Sequence, residues 1–368
     1  MSPSNSRGPS VCGHGPDLRG RLCGGRYRLE DVIGWGGTAC VYAGLDVHLR
    51  RPVAVKVVHP EHARSDDQRR RVQQEARLLA LVEHPHVTSL LDFGVELRDD
   101  DGEALCFLVM PLVGGVTLRE LVLAGAIAWP RAVALSRQIL SGLAAIHCAG
   151  ALHRDLKAQN CLVGRRDGRE HLWILDFGLA KAVVPGLISQ APRSLTGALV
   201  GTLPYLSPEQ AQGLGVDARS DLYAVGVLLF ELLTRRLPFI GTDYEVLTSI
   251  VERAPPPLRT LVPGAVFPAS LEAVVSRALA KDPRQRYWTA SAFDAALVEV
   301  LEEEERADEL SWSCGRSPTH AGCDEARSSL AAWSCFEYER ADRMAKRAAR
   351  LDHGWSPLAL LMSLLPDE

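Results

Sequence analysis

The hydrophobic rhythm of this chain changes once, and the change falls at Gly114. Before it, apolar and β-branched residues come in short runs broken by glycine or polar residues, as in YRLEDVIG, ACVYAGLDV and PVAVKVV. These runs predict three antiparallel strands between Tyr27 and Val58, with further strands over 87–95 and in CFLVMPLV. Between them lies DDQRRRVQQEARLLALVEH, where Val72, Leu78, Leu79 and Val82 recur at helical spacing. After Gly114, WPRAVALSRQILSGLAAIHCAG sets Leu135, Ile139, Leu143 and Ile146 on one helix face, with Pro130 near its start and Gly150 at its stop. DLYAVGVLLFELLTRR is apolar almost all round, which predicts a helix buried in the middle of a lobe. More helices are expected near 243–253, 269–281 and 289–301. A small β-rich part with one helix thus precedes a larger, mostly helical part.

With 368 residues, the chain is long enough for a large bilobed enzyme with tails. Its formal charge of -4, with both signs interspersed, gives no electrostatic reason to expect nucleic acid or an anionic membrane as partner. The 9 cysteines are scattered, without the close pairs of a zinc site or the density of a disulfide scaffold, so a reducing cytoplasm is expected. The longest apolar runs, YAVGVLLFELL and PLALLMSLL, fall short of a membrane span. Residues 1–25 are rich in Gly, Ser, Pro and Arg, the composition of a flexible arm.

The motifs become informative as an ordered set. IGWGGTACV places Gly34, Gly36 and Gly37 between two predicted strands. Taken alone it suits a hairpin turn as well as a phosphate cradle. It is followed by VAVK ending at Lys56, by Glu75 in the first helix, by HRDLKAQN from His153 to Asn160, by DFG from Asp176 to Gly178, and by SPE from Ser207 to Glu209. In this order the set resembles the eukaryotic-type protein kinases, and GTLPYLSPEQ with DARSDLYAVG makes it most similar to the serine/threonine kinases of bacteria. The resemblance covers roughly residues 26–300. It implies an α+β, bilobed protein-kinase-like fold, with an N-lobe over about 26–113 and a C-lobe over about 114–300. It also implies ATP and Mg2+ as cofactors, proteins as substrates, and transfer of the γ-phosphoryl to Ser or Thr. The alternative is a nucleotide-binding pseudokinase scaffold.

Each part has a physical rationale beside the resemblance. Glycines let backbone N–H groups approach phosphate oxygens without hindrance from a Cβ. Gly34 and Gly36 match the first two glycines of the family loop, and Ala39 stands where the third usually lies. Lys56 lies on a strand whose neighbours Val55 and Val57 point to the opposite face, so its ammonium is delivered alone to the nucleotide side. Glu75 is its expected partner. Asp155 is the carboxylate expected to receive the substrate hydroxyl proton, and Lys157 the charge that neutralises the moving phosphoryl group. Asn160 and Asp176 offer hard oxygens to magnesium. Ile33, Val41, Ala54 and Leu162 are expected to line the adenine pocket, with Met110 as gatekeeper and the backbone of Leu112 and Val113 offering hydrogen bonds. Pro111 replaces an acidic residue often seen in the family and removes one N–H.

The stretch from Asp176 to Glu209 is too long for an ordinary connection and reads as a regulatory loop. By resemblance, Ser194 and Thr196 are autophosphorylation sites, and Arg154 is the cation that would receive such a phosphate. Thr202 is expected to order the substrate-binding loop. Two buried pairings are also implied: Glu209 with Arg286, and Asp221 with the backbone near Arg154. Residues 301–368 read as an acidic linker, LEEEERADEL, and a helical tail. Its last part resembles a fragment of a tetratricopeptide repeat. One such unit cannot bury its apolar face alone, so the tail is expected to dock on the kinase or meet a protein partner.

Overall fold

The computed structural model describes residues 17–97, 104–175, 203–262 and 264–313; the side chains of Arg71, Glu75, Leu97 and residues 307–313 lie outside that description. The first strands are β1 (Leu22–Cys23), β2 (Tyr27–Trp35), β3 (Ala39–Asp46) and β4 (Arg51–Val58). Helix α1 (Asp66–Leu79) follows, then β5 (Asp92–Leu97) and β6 (Ala104–Pro111). These six strands form one antiparallel sheet in the order β1-β2-β3-β4-β6-β5. Its period-2 alternation sends Cys40, Tyr42, Val53, Val55, Val57, Phe107 and Val109 to one face, where they pack with Cys23, Tyr27, Leu29 and Leu105 as a dry core. The other face is left for the site.

Two expectations are corrected at this end of the chain. Residues 17–25, read from composition as part of a flexible arm, are folded: β1 pairs Leu22 with Arg28 and Cys23 with Tyr27, and Cys23 is wholly buried. Leu18 also packs against the sheet core. Two apolar residues and a backbone pairing are enough to order a short polar segment that lies against an existing sheet. The strand expected over 87–95 begins only at Asp92, because Val87 instead makes an isolated parallel bridge to Ile174.

The larger part opens with β7 (Val116–Thr117), α2 (Leu118–Ala124) and α3 (Trp129–Cys148), then β8 (Cys161–Arg166) and β9 (Arg169–Ile174). Strands β7, β8 and β9 make a small antiparallel sheet that sequence periodicity did not predict. Helices α4 (Pro208–Gln212), α5 (Ala218–Thr234), α6 (Asp243–Glu252), α7 (Leu258–Leu261), α8 (Ala269–Ala278) and α9 (Ala290–Ser313) complete the described chain. As its all-apolar sequence predicted, α5 is buried at every position from Ser220 to Thr234. Helix α3 stops at a Gly150 with φ 75°, where the Ala151 N–H reaches back 3.1 Å to the Ile146 carbonyl. Capping boxes start α1, α2, α4 and α6, each pairing Ser or Thr with Gln or Glu three residues on. Helix α9 runs on through the acidic stretch read as a linker, since Glu, Ala and Leu are strong helix formers. No helix among the described residues is long and apolar enough to cross a membrane.

Candidate active site

The site begins with sheet register. Residues directly opposite in an antiparallel pair share a face, as do alternate residues along a strand. Lys56 lies opposite Val41 on β3 and Leu108 on β6, and Ala54 lies opposite Met110. Gly34 lies opposite Val41. Gly34, Val41, Ala54, Lys56 and Met110 therefore share the face turned away from the dry core. Lys56 is 6% exposed, Val41 and Met110 are half-buried, and Ile33, beside Gly34, is 53% exposed. Leu112 and Val113 follow β6 in the connection to β7, with Leu112 exposed and Val113 half-buried. Leu162, half-buried on β8, pairs with Thr117 and Trp173. Its neighbour Cys161 points the other way and is wholly buried, which pushes its thiol pKa up and leaves it inert.

A second group of candidate side chains lies on the segment between α3 and β8. The Lys157 ammonium donates to the Asp155 carboxylate at 3.1 Å. The Asn160 amide nitrogen donates to the Asp155 carbonyl at 2.8 Å and to its carboxylate at 3.3 Å. Asp155, Lys157 and Asn160 thus form one hydrogen-bonded cluster. With its nitrogen held in this way, the Asn160 amide oxygen faces elsewhere and accepts no hydrogen bond among the described residues, which leaves a hard oxygen for a cation. The Leu175 N–H donates to the Asn160 carbonyl at 2.7 Å, which ties the end of the described β9 segment to the cluster.

The cluster is held from below by Asp221, 2% exposed in the first turn of α5. One carboxylate oxygen accepts the His153 N–H at 2.9 Å, the other the Arg154 N–H at 2.8 Å, and the His147 imidazole lies 2.9 Å from the first. Burial would raise the Asp221 carboxyl, but the hydrogen bond from His147, the charge of His153 and the backbone donors outweigh it, and the group is held below the usual range. Arg154, between these contacts, has a φ of 61°, a left-handed conformation costing a non-glycine residue about 1–3 kcal/mol. The hydrogen bonds that the His153 and Arg154 N–H groups donate to Asp221 hold it there. The Arg154 side chain is exposed.

Glu209 and Arg286 meet as expected, through bonds of 2.8 and 2.7 Å, with Arg286 1% exposed. Its other donors reach the carbonyls of Ala280, Arg219 and Lys281. Ser220 adds a hydrogen bond of 2.6 Å to Glu209. Desolvation pushes the Glu209 carboxyl up, but Arg286 and Ser220 bring it below its ordinary value. Tyr205 donates to Glu231 at 2.5 Å and Arg119 donates to the same carboxylate at 2.9 Å, which anchors the segment before α4 on α5.

Sequence reading missed His147, Ser220, Arg119 and Glu231, whose only signal was a polar residue on an otherwise apolar helix face. Asp176, Ser194, Thr196 and Thr202 lie outside the described residues, as does the Glu75 side chain, although its backbone is in α1.

A strand sheet bearing a buried lysine, followed by a helical lobe with a carboxylate, lysine and asparagine cluster, defines the protein kinase fold. Solved structures agree. The kinase domain of Mycobacterium tuberculosis PknI (C20A_R136A double mutant) superposes with a TM-score of 0.60 at 24% identity, covering 77% of this chain and 99% of that one. Rad53 1-466 in complex with AMP-PNP gives 0.56 at 26% identity, covering 73% and 64%. The family model described as protein kinase domain matches residues 27–297. Among curated proteins, the serine/threonine-protein kinase pkn2 of Myxococcus xanthus is 40% identical over 74% of this chain. PknL of Mycobacterium tuberculosis is 39% identical over 78%, and PrkC of Bacillus subtilis 36% over 76%. The chain belongs to the protein kinase family, among the eukaryotic-like serine/threonine kinases of bacteria. It spans 32% of the length of pkn2, 68% of PknL and 41% of PrkC.

Proposed function

We propose that this chain transfers the γ-phosphoryl group of ATP to serine or threonine hydroxyls of proteins, itself included. The observation that carries this reading is the hydrogen-bonded cluster of Asp155, Lys157 and Asn160 on a segment fixed by Asp221. Phosphoryl transfer asks a protein for positioning and charge neutralisation more than for covalent chemistry. Asp155 accepts the proton of the substrate hydroxyl as its oxygen bonds to the γ-phosphorus and the bond to the β-phosphate oxygen breaks. Lys157 neutralises charge on the group in transit, and Lys56, partnered by Glu75, holds the α- and β-phosphates. Asn160 and Asp176 are the residues that would hold magnesium, which, when bound, neutralises the β- and γ-oxygens. Ile33, Val41, Ala54 and Leu162 enclose the adenine, with Met110 at its back and the backbone of Leu112 and Val113 at its edge.

Ser194 and Thr196 are the proposed autophosphorylation sites, and the exposed Arg154 the cation that receives the new charge. The kinase domain is assigned to about 26–300, with residues 17–25 attached to its sheet. The protein works in the cytoplasm, in keeping with the free thiols of Cys23, Cys40, Cys106, Cys148 and Cys161. The tail beyond Ser313 is left to dock or to meet a protein partner. Incubation of the full chain with magnesium and γ-labelled ATP should label serine and threonine, Ser194 or Thr196 among them. Asp155→Asn should lower incorporation by about 10²–10⁴-fold. Equal labelling of the variant, or label on a metabolite and never on protein, would refute the assignment.

A further inference from the structure

We infer that His59 and His62 are positioning residues for the glycine loop, a reading that rests on the nucleotide site proposed above. The loop between β2 and β3 consists of Gly36, Gly37 and Thr38. Each of their three carbonyls accepts a hydrogen bond from the segment just after β4. His59 Nε2 lies 2.9 Å from the Gly36 oxygen, His62 Nε2 lies 3.2 Å from the Gly37 oxygen, and the His59 N–H donates to the Thr38 oxygen at 2.9 Å. The Trp35 ring sits against the His59 ring at 5.1 Å. A carbonyl can only accept, so both imidazoles carry their proton on Nε2.

The consequence follows from peptide geometry. A trans peptide unit points its C=O and the following N–H in opposite directions. Drawing the Gly36 and Gly37 oxygens toward residues 59–62 therefore turns the N–H groups of Gly37 and Thr38 the other way, as a set. Two adjacent glycines left to themselves sample a wide range of φ and ψ, and every phosphate-bound geometry would have to be selected from it. The histidines narrow that range before the ligand arrives, which is preorganisation. Neither imidazole needs to touch the nucleotide.

The test separates phosphate recognition from adenine recognition. ADP and adenosine are titrated by calorimetry into the full chain, into His59→Leu/His62→Leu, and into His59→Gln/His62→Gln, whose amide N–H can replace Nε2–H. The leucine pair should weaken ADP on the order of tenfold, as the loss of two exposed hydrogen bonds implies, while adenosine changes less than about twofold. The glutamine pair should recover most of the ADP affinity. Melting temperatures report folding, and His62→Leu alone, which keeps the Trp35 contact, replaces the double variant if that one does not fold. Parallel weakening of ADP and adenosine, or an unchanged ADP affinity, would overturn the inference. A wild-type chain that binds neither compound would instead overturn the nucleotide site itself, and this inference with it.

Discussion

Arg286 illustrates how one residue joins distant parts of the sequence. It is 77 positions from Glu209, both side chains are buried, and four further groups complete its shell: three carbonyls and the Tyr223 ring, over which its guanidinium lies at 4.9 Å. Removing one partner leaves the other charge buried, which commonly costs about 3–5 kcal/mol. Arg286→Ala should therefore lower the chemical denaturation midpoint by that much stability, and Arg286→Lys should recover little of it, because a point charge cannot make the bidentate bond. Wild-type-like denaturation of the alanine variant would contradict the pairing. The pair was anticipated only through the resemblance to the kinase family that SPE helps to carry, since periodicity carries no information about partners so far apart. Asp221 was anticipated in the same way as a partner of the backbone near Arg154, whereas its contact with His147, across 74 positions, was not.

Among elements, the junction of residues 84–88 with β9 has its own pH signature. The Thr88 N–H and hydroxyl both reach the Ile174 carbonyl, the His86 ring bonds the Leu172 carbonyl at 2.9 Å, and the His171 ring bonds the Pro85 carbonyl at 2.8 Å. The rings of His86 and His171 stack at 4.4 Å, with His84 and Trp173 at either side. Burial lowers both His84 and His86, and the positive charge of neighbouring histidines, with Arg166 for His86, lowers them further. A histidine whose folded value lies below its unfolded one binds fewer protons when native, so stability rises with pH in that window and falls as pH drops through about 6.5. The melting temperature should drop from pH 7.5 to 5.5, and less steeply in His86→Asn, which keeps a donor for the Leu172 carbonyl. Superimposable pH profiles would refute this role. None of it was legible in the sequence: β8 and β9, CLVGRR and REHLWI, are short and carry charges at their ends, so no strand pattern stands out. The strands β2, β3 and β4 were legible because one face is a continuous dry core that enforces alternation. Helix α5 was legible because its burial leaves no polar stripe.

At the scale of the whole molecule, the account is that two independently built surfaces serve one triphosphate. The strand face with Gly34, Val41, Ala54, Lys56 and Met110 arises from sheet register, and the Asp155, Lys157 and Asn160 cluster from a segment clamped by α5. Motif order made both halves readable before any fold was known, while the bonds within each half depend on tertiary contacts. Crystals of the full chain grown with magnesium and a non-hydrolysable ATP analogue test the claim most directly. The account predicts Lys56 Nζ on the α- and β-phosphates, a magnesium ion about 2.0–2.1 Å from oxygens of Asn160 and Asp176, and the γ-phosphate beside Asp155 and Lys157. A nucleotide bound elsewhere, or one whose phosphates and metal touch none of these side chains, would contradict it.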